Sequence, residues 1–324
     1  MTAILLALVP AAFACIPVPS AVPSLALKRF YVDPSGSRSK HSILASNRRI
    51  TAPVKRYLNL VAEHADRAVM FRSGRDAVCA LTALQAWAQA GALLGPMPTK
   101  QGEHHRKWAF TGLALAYLKV ATFADPATAA SINAWLQTMA DDASALFATG
   151  KVKLNNHYYW LGLGLTATGL ATGSQSHIAR GQKIFRKALA DIDEVGAFSM
   201  EMARGARALH YQVFALTPLV IMDYLLARQS GLSDRRAPAA LRRAVTFAMS
   251  AVRNPNLIAA RAKARQKDVP MKRRLGYGWL RLIAASPARW PDVEIGSFEF
   301  ATASTTHRWI GGDATALTVL DLPR

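Results

Sequence analysis

Asn155-Asn156-His157-Tyr158-Tyr159-Trp160 runs directly into the apolar stretch from Leu161 to Leu170. Asn is a poor helix-interior residue and a good N-cap, because its side-chain oxygen accepts from a backbone N–H that the helix leaves unpaired. Asn155 or Asn156 therefore opens a helix here. His157 then falls in the first turn, where N–H groups point outward and the helix dipole lowers an imidazole pKa. A near-neutral His beside an amide donor suits base or anion-stabilising chemistry. The plainer reading, an ordinary helix cap with a partly buried His, stays open on this stretch alone.

Working outward, nearly everything from Pro53 on reads as helix. Val54 to Arg67 has apolar residues at helical spacing, and Asp76 to Leu94 is Ala-rich and ended by Gly95-Pro96. Lys107 to Thr122 stops at Asp125-Pro126, and Pro126 starts the next helix, Ala127 to Phe147. Trp160 to Thr172 and His177 to Ile192 each close on a glycine. Further helices are expected over Met200–Arg228 (with a break near Pro218), Ala237–Val252 and Leu275–Ala285. Alternating β-branched runs are nearly absent, and the connections are short, as in helix hairpins. The expected fold class is all-α, with successive antiparallel hairpins suggesting an α/α toroid. In the tail, Gly296 to Phe300 and Ala316 to Leu320 read as short strands or extended packing.

Ahead of the helices, residues 1–14 are apolar and end in Ala12-Phe13-Ala14, a small-residue cleavage pattern, so they read as a signal peptide. The run is too short and too broken by prolines to span a bilayer. Residues 15–52, rich in Pro, Ser and basic side chains, read as an extended arm. Residues 53–324 form the main domain. The expected location is periplasmic or secreted. Cys15 and Cys79 sit in different contexts and are not expected to form a disulfide framework or a metal site; Cys79 reads as a small buried residue.

The 324 residues are 51% hydrophobic and 19% charged, which excludes a disordered chain. Forty Lys and Arg against 20 Asp and Glu give a formal charge of +20, a field that attracts polyanions. Nucleic acid, an anionic membrane face and an acidic polysaccharide all satisfy it. The basic residues are scattered and no nucleic-acid reading motif is present, so no nucleic-acid partner is expected.

A second stretch, Glu201 to Tyr211, carries Arg204 and Tyr211 seven residues apart, close to two helical turns, so both share a face if the segment is helical. With both stretches in view the sequence resembles the alginate lyase family of polysaccharide lyases (family five). The resemblance rests on Asn-Asn-His-x-Tyr-Trp at 155–160 and Arg-x-x-Arg-Ala-Leu-x-Tyr at 204–211. Arg106-Lys107-Trp108-Ala109, Ala215-Leu216-x-Pro218-Leu219 and Gly311-Gly312-Asp313 add to it. It implies an incomplete α/α barrel with a deep cleft, and cleavage of an acidic uronic-acid polymer by β-elimination.

That reaction removes the C5 proton beside a carboxylate and expels the C4 oxygen. The site must neutralise the carboxylate, stabilise an enolate-like intermediate, and supply a base and an acid. Asn156, His157 and Arg204 offer the first set, and the Tyr211 phenol can accept and donate; the resemblance assigns the same roles. A neighbouring Arg204 is expected to lower the Tyr211 pKa from its usual value of about 10. If proton and leaving oxygen share a face, as in mannuronate, Tyr211 serves as base and acid. If they lie on opposite faces, as in guluronate or glucuronate, His157 is the better base. Gln212-Val213-Phe214 departs from the His-Asn-Tyr usual in the family, which leaves polyglucuronate open beside alginate.

Lys107 and Trp108 read as polymer contacts at the start of a helix, or as a solvated basic face with the Trp in the core. Tyr159 and Trp160 offer stacking surfaces for sugar rings, although Trp160 suits core packing equally. Arg207 lines the cleft or meets solvent, and His210 points away from Tyr211. His104-His105 is a poor metal pair, since adjacent helical residues diverge by about 100°; no metal and no cofactor are expected. The basic stretch Lys263 to Arg274 reads as a solvated loop or a guide for polymer. The alternatives are a non-catalytic polysaccharide-binding protein on the same scaffold, or a basic nucleic-acid-binding helical protein. The expected assembly state is a monomer.

Overall fold

The computed structural model describes residues 15–267, 278–296 and 305–321. The signal-peptide reading of 1–14, residues 297–300 of the stretch read as a short strand or extended packing, and the start of the helix at 275–285 lie outside the described residues.

The chain is an all-α toroid built in two layers. Helices α2 (Ala52–Met70), α4 (Lys100–Val120), α6 (Asn156–Thr172) and α9 (Ala208–Gln229) form the inner layer, each packed on the next. Helices α3 (Gly74–Gln89), α5 (Pro126–Ala148), α7 (Gln175–Ala190) and α10 (Ala239–Arg253) back them from outside. The sequence accounts for the difference. α6 carries no charged residue and α9 is apolar on every side, so both can be enclosed all round. The window from Gly205 to Gln229 is apolar and long enough to cross a bilayer, and it is buried inside the protein. α7 and α10 are polar on one face and bury only the other.

Helix starts follow local chemistry. Asn155 caps α6 by accepting from the His157 N–H at 3.2 Å, and Gly173 closes it with φ +70°. Asp125 caps α5 through the Ala127 and Thr128 N–H groups, with Pro126 first in the helix. Thr99 caps α4 through Gly102, so this helix begins two turns before the expected Lys107. Its polar first turn gives no apolar period to detect.

Several expectations are corrected. The segment 200–228 does break, but not at Pro218, which sits inside an unbroken α9. The break follows the short helix α8 (Ser199–Met202), where Gly205 takes a positive φ of +55°. The arm is not extended throughout: His41–Ile50 forms helix α1. Of the stretch 316–320, read as a short strand or extended packing, residues 316–319 belong to the 3-10 helix Ala314–Val319, and the strands among the described residues are the two-residue pair Thr306–His307 and Gly312–Asp313. Cys15 and Cys79 are joined in a disulfide, against expectation. The arm lies along α3 and the segment after it, held by Trp87 Nε1 donating to the Pro19 carbonyl at 2.8 Å and Leu93 N–H to Val22 at 2.9 Å. That brings Cys15 onto a cysteine 64 positions away.

The C-terminal segment is fixed at two glycines. A Cβ at Gly112 would strike the Arg308 carbonyl, so its absence lets residues 308–309 lie on α4. A Cβ at Gly312 would strike the Asp66 carboxylate, which accepts from the Asp313 N–H at 2.7 Å. Fully buried Lys119 completes this clip, donating to Asp66 at 2.5 Å and to the Gly311 carbonyl at 2.7 Å.

Candidate active site

One cavity of about 790 Å³ opens where the arm, α1, α2, α4, α9 and the C-terminal segment meet. Its described lining holds seven Lys or Arg side chains and no Asp or Glu, so the field inside it favours an anion. The cations stand on different elements: Arg29 on the arm, Arg48 on α1, Lys55 on α2, Lys100 on α4, Arg204 and Arg207 before α9, and Arg308 near the C-terminus. Trp108 and Trp309, stacked with centroids 4.5 Å apart, supply an apolar wall.

His157, Arg204 and Tyr211 all line this cavity. Arg204 and Tyr211 do not share a helix face as expected, because Arg204 precedes α9. The turn at Gly205 nevertheless folds Arg204 back, placing its guanidinium carbon 3.6 Å above the Tyr211 ring centroid. The Tyr211 hydroxyl lies 2.5 Å from that of Tyr31, and Arg207 Nη1 donates to Tyr31 at 2.7 Å. Arg204 also donates to the Gly36 carbonyl at 3.3 Å, tying the arm to this wall.

The expected lowering of the Tyr211 pKa is overturned. Burial pushes the phenol above its ordinary value of 10, with Tyr31 adding to the rise, while Arg204 and Arg207 pull against it. His157 is held well below the usual imidazole value, chiefly by burial and then by His104, Lys107, Arg204 and His105. The dipole argument gave the right direction, but burial is the larger cause. His104 and His157 stack with centroids 3.8 Å apart. Burial first, then neighbouring positive charge, lowers His104 to about 3, His105 to about 4 and His307 to about 3. The wall is thus uncharged imidazole set among fixed cations.

Four expected site residues stand elsewhere. Asn156 is fully buried and does not line the cavity; its Nδ2 and backbone N–H both donate to Glu201 Oε1, at 2.8 and 3.0 Å. Tyr159 donates to Asp191 at 2.8 Å and Trp160 is 0% exposed, so both are core residues and neither offers a face to a sugar. Helical geometry turns Tyr159, two positions after His157, to the opposite side, whereas Trp160, three positions on, shares the His157 side but is covered by Phe214 and Trp309. Lys107 is 1% exposed and lies behind His157 instead of touching the cavity. Trp108 and Arg207 do line it, and so does His210, which was expected to point away from Tyr211.

Sequence reasoning missed Tyr31, Arg29, His307 and Trp309. The first two lie on an aperiodic arm and the others in an irregular tail, so no local pattern marked them. Among the described residues no group of three or more His, Cys, Asp or Glu is arranged to hold a metal ion.

The geometry can do three things. The cations and imidazole N–H groups can neutralise a carboxylate, the paired tyrosines can hold and move a proton, and the tryptophan wall can exclude water.

Comparison with known proteins gives a consistent result. The family model described as alginate lyase matches residues 25–258. A polysaccharide lyase of Stenotrophomonas maltophilia (strain K279a) is 40% identical over 224 residues, covering 68% of this chain and 68% of that protein. An alginate lyase of Pseudomonas syringae pv. syringae (strain B728a) is 29% identical over 246 residues, covering 73% of this chain and 64% of that protein. The chain thus spans about two thirds of the length of these relatives. Among solved structures, a variant of alginate lyase A1-III complexed with tetrasaccharide superposes with a TM-score of 0.80 at 25% identity, covering 94% of this chain and 86% of that one.

Proposed function

The chain belongs to the alginate lyase family, and on that premise we propose that it cleaves an acidic uronic-acid polymer by metal-free β-elimination, leaving a C4–C5 unsaturated uronate. The observation that carries this reading is the Tyr211 hydroxyl set between Tyr31 and Arg204 in a cavity whose described lining has seven cations and no carboxylate. A binding site alone would need the cations but not the paired phenols.

In this reading the uronate carboxylate sits against Arg204 and the cavity face of His157. Their charge and hydrogen bonds offset the negative charge that otherwise keeps the C5 proton from leaving. Tyr211 takes the proton. Burial and Tyr31 oppose its ionisation, so the phenolate that takes the C5 proton forms by loss of the Tyr211 proton to solvent, with the two arginines offsetting the cost. Arg207, donating to the Tyr31 oxygen, holds Tyr31 beside Tyr211. The protonated Tyr211 then returns the proton to the departing C4 oxygen. Asn156 acts at one remove, through the fold of the His157 turn.

The departure at Gln212-Val213-Phe214 bears on the choice of polymer. Gln212 is buried and structural, accepting from the Phe198 N–H at 3.1 Å and donating to the Gly196 carbonyl at 2.8 Å. Val213 and Phe214 line the cavity and give it an apolar patch beside Tyr211. We keep polymannuronate and polyglucuronate as the two candidate polymers. A location outside the cytoplasm is part of the proposal, supported by the Cys15–Cys79 disulfide, which suits an oxidising compartment.

The test is ultraviolet absorbance of purified protein mixed separately with polymannuronate, polyguluronate, polyglucuronate and hyaluronan. A rise on one polymer that is lost in Tyr211→Phe supports the reading. Silence on all four from a folded protein counts against it.

A further inference from the structure

Lys107 is a buried lysine on the inner helix α4, and no carboxylate stands within ion-pair distance of it among the described residues. Such a group is costly to bury, and it persists only where its hydrogens have partners. Its Nζ lies 3.2 Å from His157 Nδ1 and donates to the His157 backbone carbonyl, also at 3.2 Å. Both contacts go to one residue, which makes Lys107 a clamp on the His157 ring.

A lysine in either charge state has hydrogens to give, and only the neutral amine can accept. The imidazole is kept neutral first by burial and then by the basic groups around it: His104 and Lys107 on α4, Arg204 beyond the α8 turn, and His105 on α4. A neutral imidazole carries one N–H. If Nδ1 accepts from Lys107, the proton is on Nε2, the ring nitrogen left for the cavity. His104, stacked flat on the ring at 3.8 Å, prevents the flip that would exchange the two nitrogens.

We propose that Lys107 is a positioning residue of the active site: by donating to Nδ1 it holds His157 in the Nε2–H tautomer, so that the imidazole meets the uronate carboxylate as a donor and leaves proton abstraction to Tyr211. This rests on the reading of His157 and Tyr211 as the reacting pair, and it narrows the substrate. A uronate whose C5 proton and C4 oxygen share a face needs only Tyr211. One with the two on opposite faces needs a bare imidazole nitrogen on the far side, which this tautomer does not present. Mannuronate-type linkages are therefore favoured over guluronate and glucuronate.

The experiment is two-bond ¹H–¹⁵N correlation NMR of full-length protein labelled at histidine nitrogen, with His157→Gln assigning the resonance. Near neutral pH the wild type is expected to show a pyridine-type Nδ1 and a pyrrole-type Nε2 at His157. Lys107→Met, which keeps the stem and removes the donors, is expected to shift this toward the other tautomer. It is also expected to lower kcat on polymannuronate by about tenfold or more, since a wrong tautomer disables a catalytic imidazole, with KM little changed. Lys107→Arg, which keeps a donor, is expected to recover part of both. A protonated Nδ1 or an imidazolium in the wild type overturns the proposal, even where Lys107→Met fails to fold. So does an unchanged tautomer in folded Lys107→Met. The spectrum needs no turnover: inactivity on every polymer removes the lyase reading alone, while a wrong tautomer in an active enzyme removes this one alone.

Discussion

The guanidinium carbon of Arg204 lies 3.6 Å above the ring centroid of Tyr211, although the two side chains belong to different elements. A cation at that position favours the phenolate and opposes the burial that raises the phenol pKa. Arg204→Ala should lower kcat/KM by about 10²–10³-fold, the usual cost of losing one preorganised group that stabilises transition-state charge. Arg204→Lys should not restore it, because an ammonium does not stack as a planar guanidinium does. Initial rates of absorbance increase measure both; a fully active Arg204→Lys would show that the stacking is incidental.

Tyr31→Phe removes the hydroxyl 2.5 Å from that of Tyr211. Losing the hydrogen bond that positions the Tyr211 oxygen is worth about tenfold in kcat. The folded Tyr211 pKa is raised above 10, so the rate should climb with pH through the neutral range as more phenolate becomes accessible. Tyr31 adds to the raised pKa, so in Tyr31→Phe that rise should move to lower pH. A pH–rate profile identical to wild type would contradict the role given to Tyr31.

His104, His105 and His307 have folded pKa values lowered from 6.5 to about 3, 4 and 3. The unfolded chain therefore binds more protons than the native one between those values and the ordinary one. Their contribution to stability is complete above about pH 6.5 and is lost as the pH falls from there toward about 3. Urea midpoints should drop over that interval, and less steeply in His105→Asn/His307→Asn. Equal slopes in variant and wild type would assign acid sensitivity to other groups.

The Cys15–Cys79 disulfide closes a sequence separation of 64 residues. Chain-entropy reasoning gives it about 4 kcal/mol of stability. Because the same arm delivers Tyr31 to the cavity, Cys15→Ser/Cys79→Ser should lower the melting temperature and also raise KM. Calorimetry with paired kinetics checks both; a lower melting temperature with unchanged kinetics would show that the arm holds its place without the bridge.

Asp66 and Lys119 hold the Gly311–Asp313 turn, and with it the cavity wall at His307–Trp309. Lys119→Met leaves a buried carboxylate unpaired and should cost about 3–5 kcal/mol. Adding Asp66→Asn should recover part of that stability but not the affinity for polymer, because the turn stays unclamped. Full recovery of both would reduce the pair to a dispensable ion pair.

Much of the fold was legible because helix signals are local. The Asn155 cap, the Asp125-Pro126 start and the Gly173 stop each act within one turn. The interior break was misplaced at Pro218 because tertiary packing around α9 tolerates a missing N–H, while the real break depends on the backbone angle of Gly205. The site was half legible. His157, Arg204 and Tyr211 follow from motif and chemistry. Asn156, Lys107 and Trp160 carry the same kinds of side chain but face inward, and only helix rotation and packing decide that.

The sequence by itself determined the helical class, the excess of positive charge and the residue types needed to neutralise a carboxylate and move a proton. These depend on side chains and their near neighbours, which composition and spacing record. The tertiary structure alone decided that Tyr31, 180 positions away, meets Tyr211, that Lys107 turns its Nζ onto His157, and that Cys15 reaches Cys79. It also decided that burial outweighs Arg204 at the Tyr211 phenol. Desolvation and long-range pairing depend on what the rest of the chain places around a group, and no local spacing encodes that.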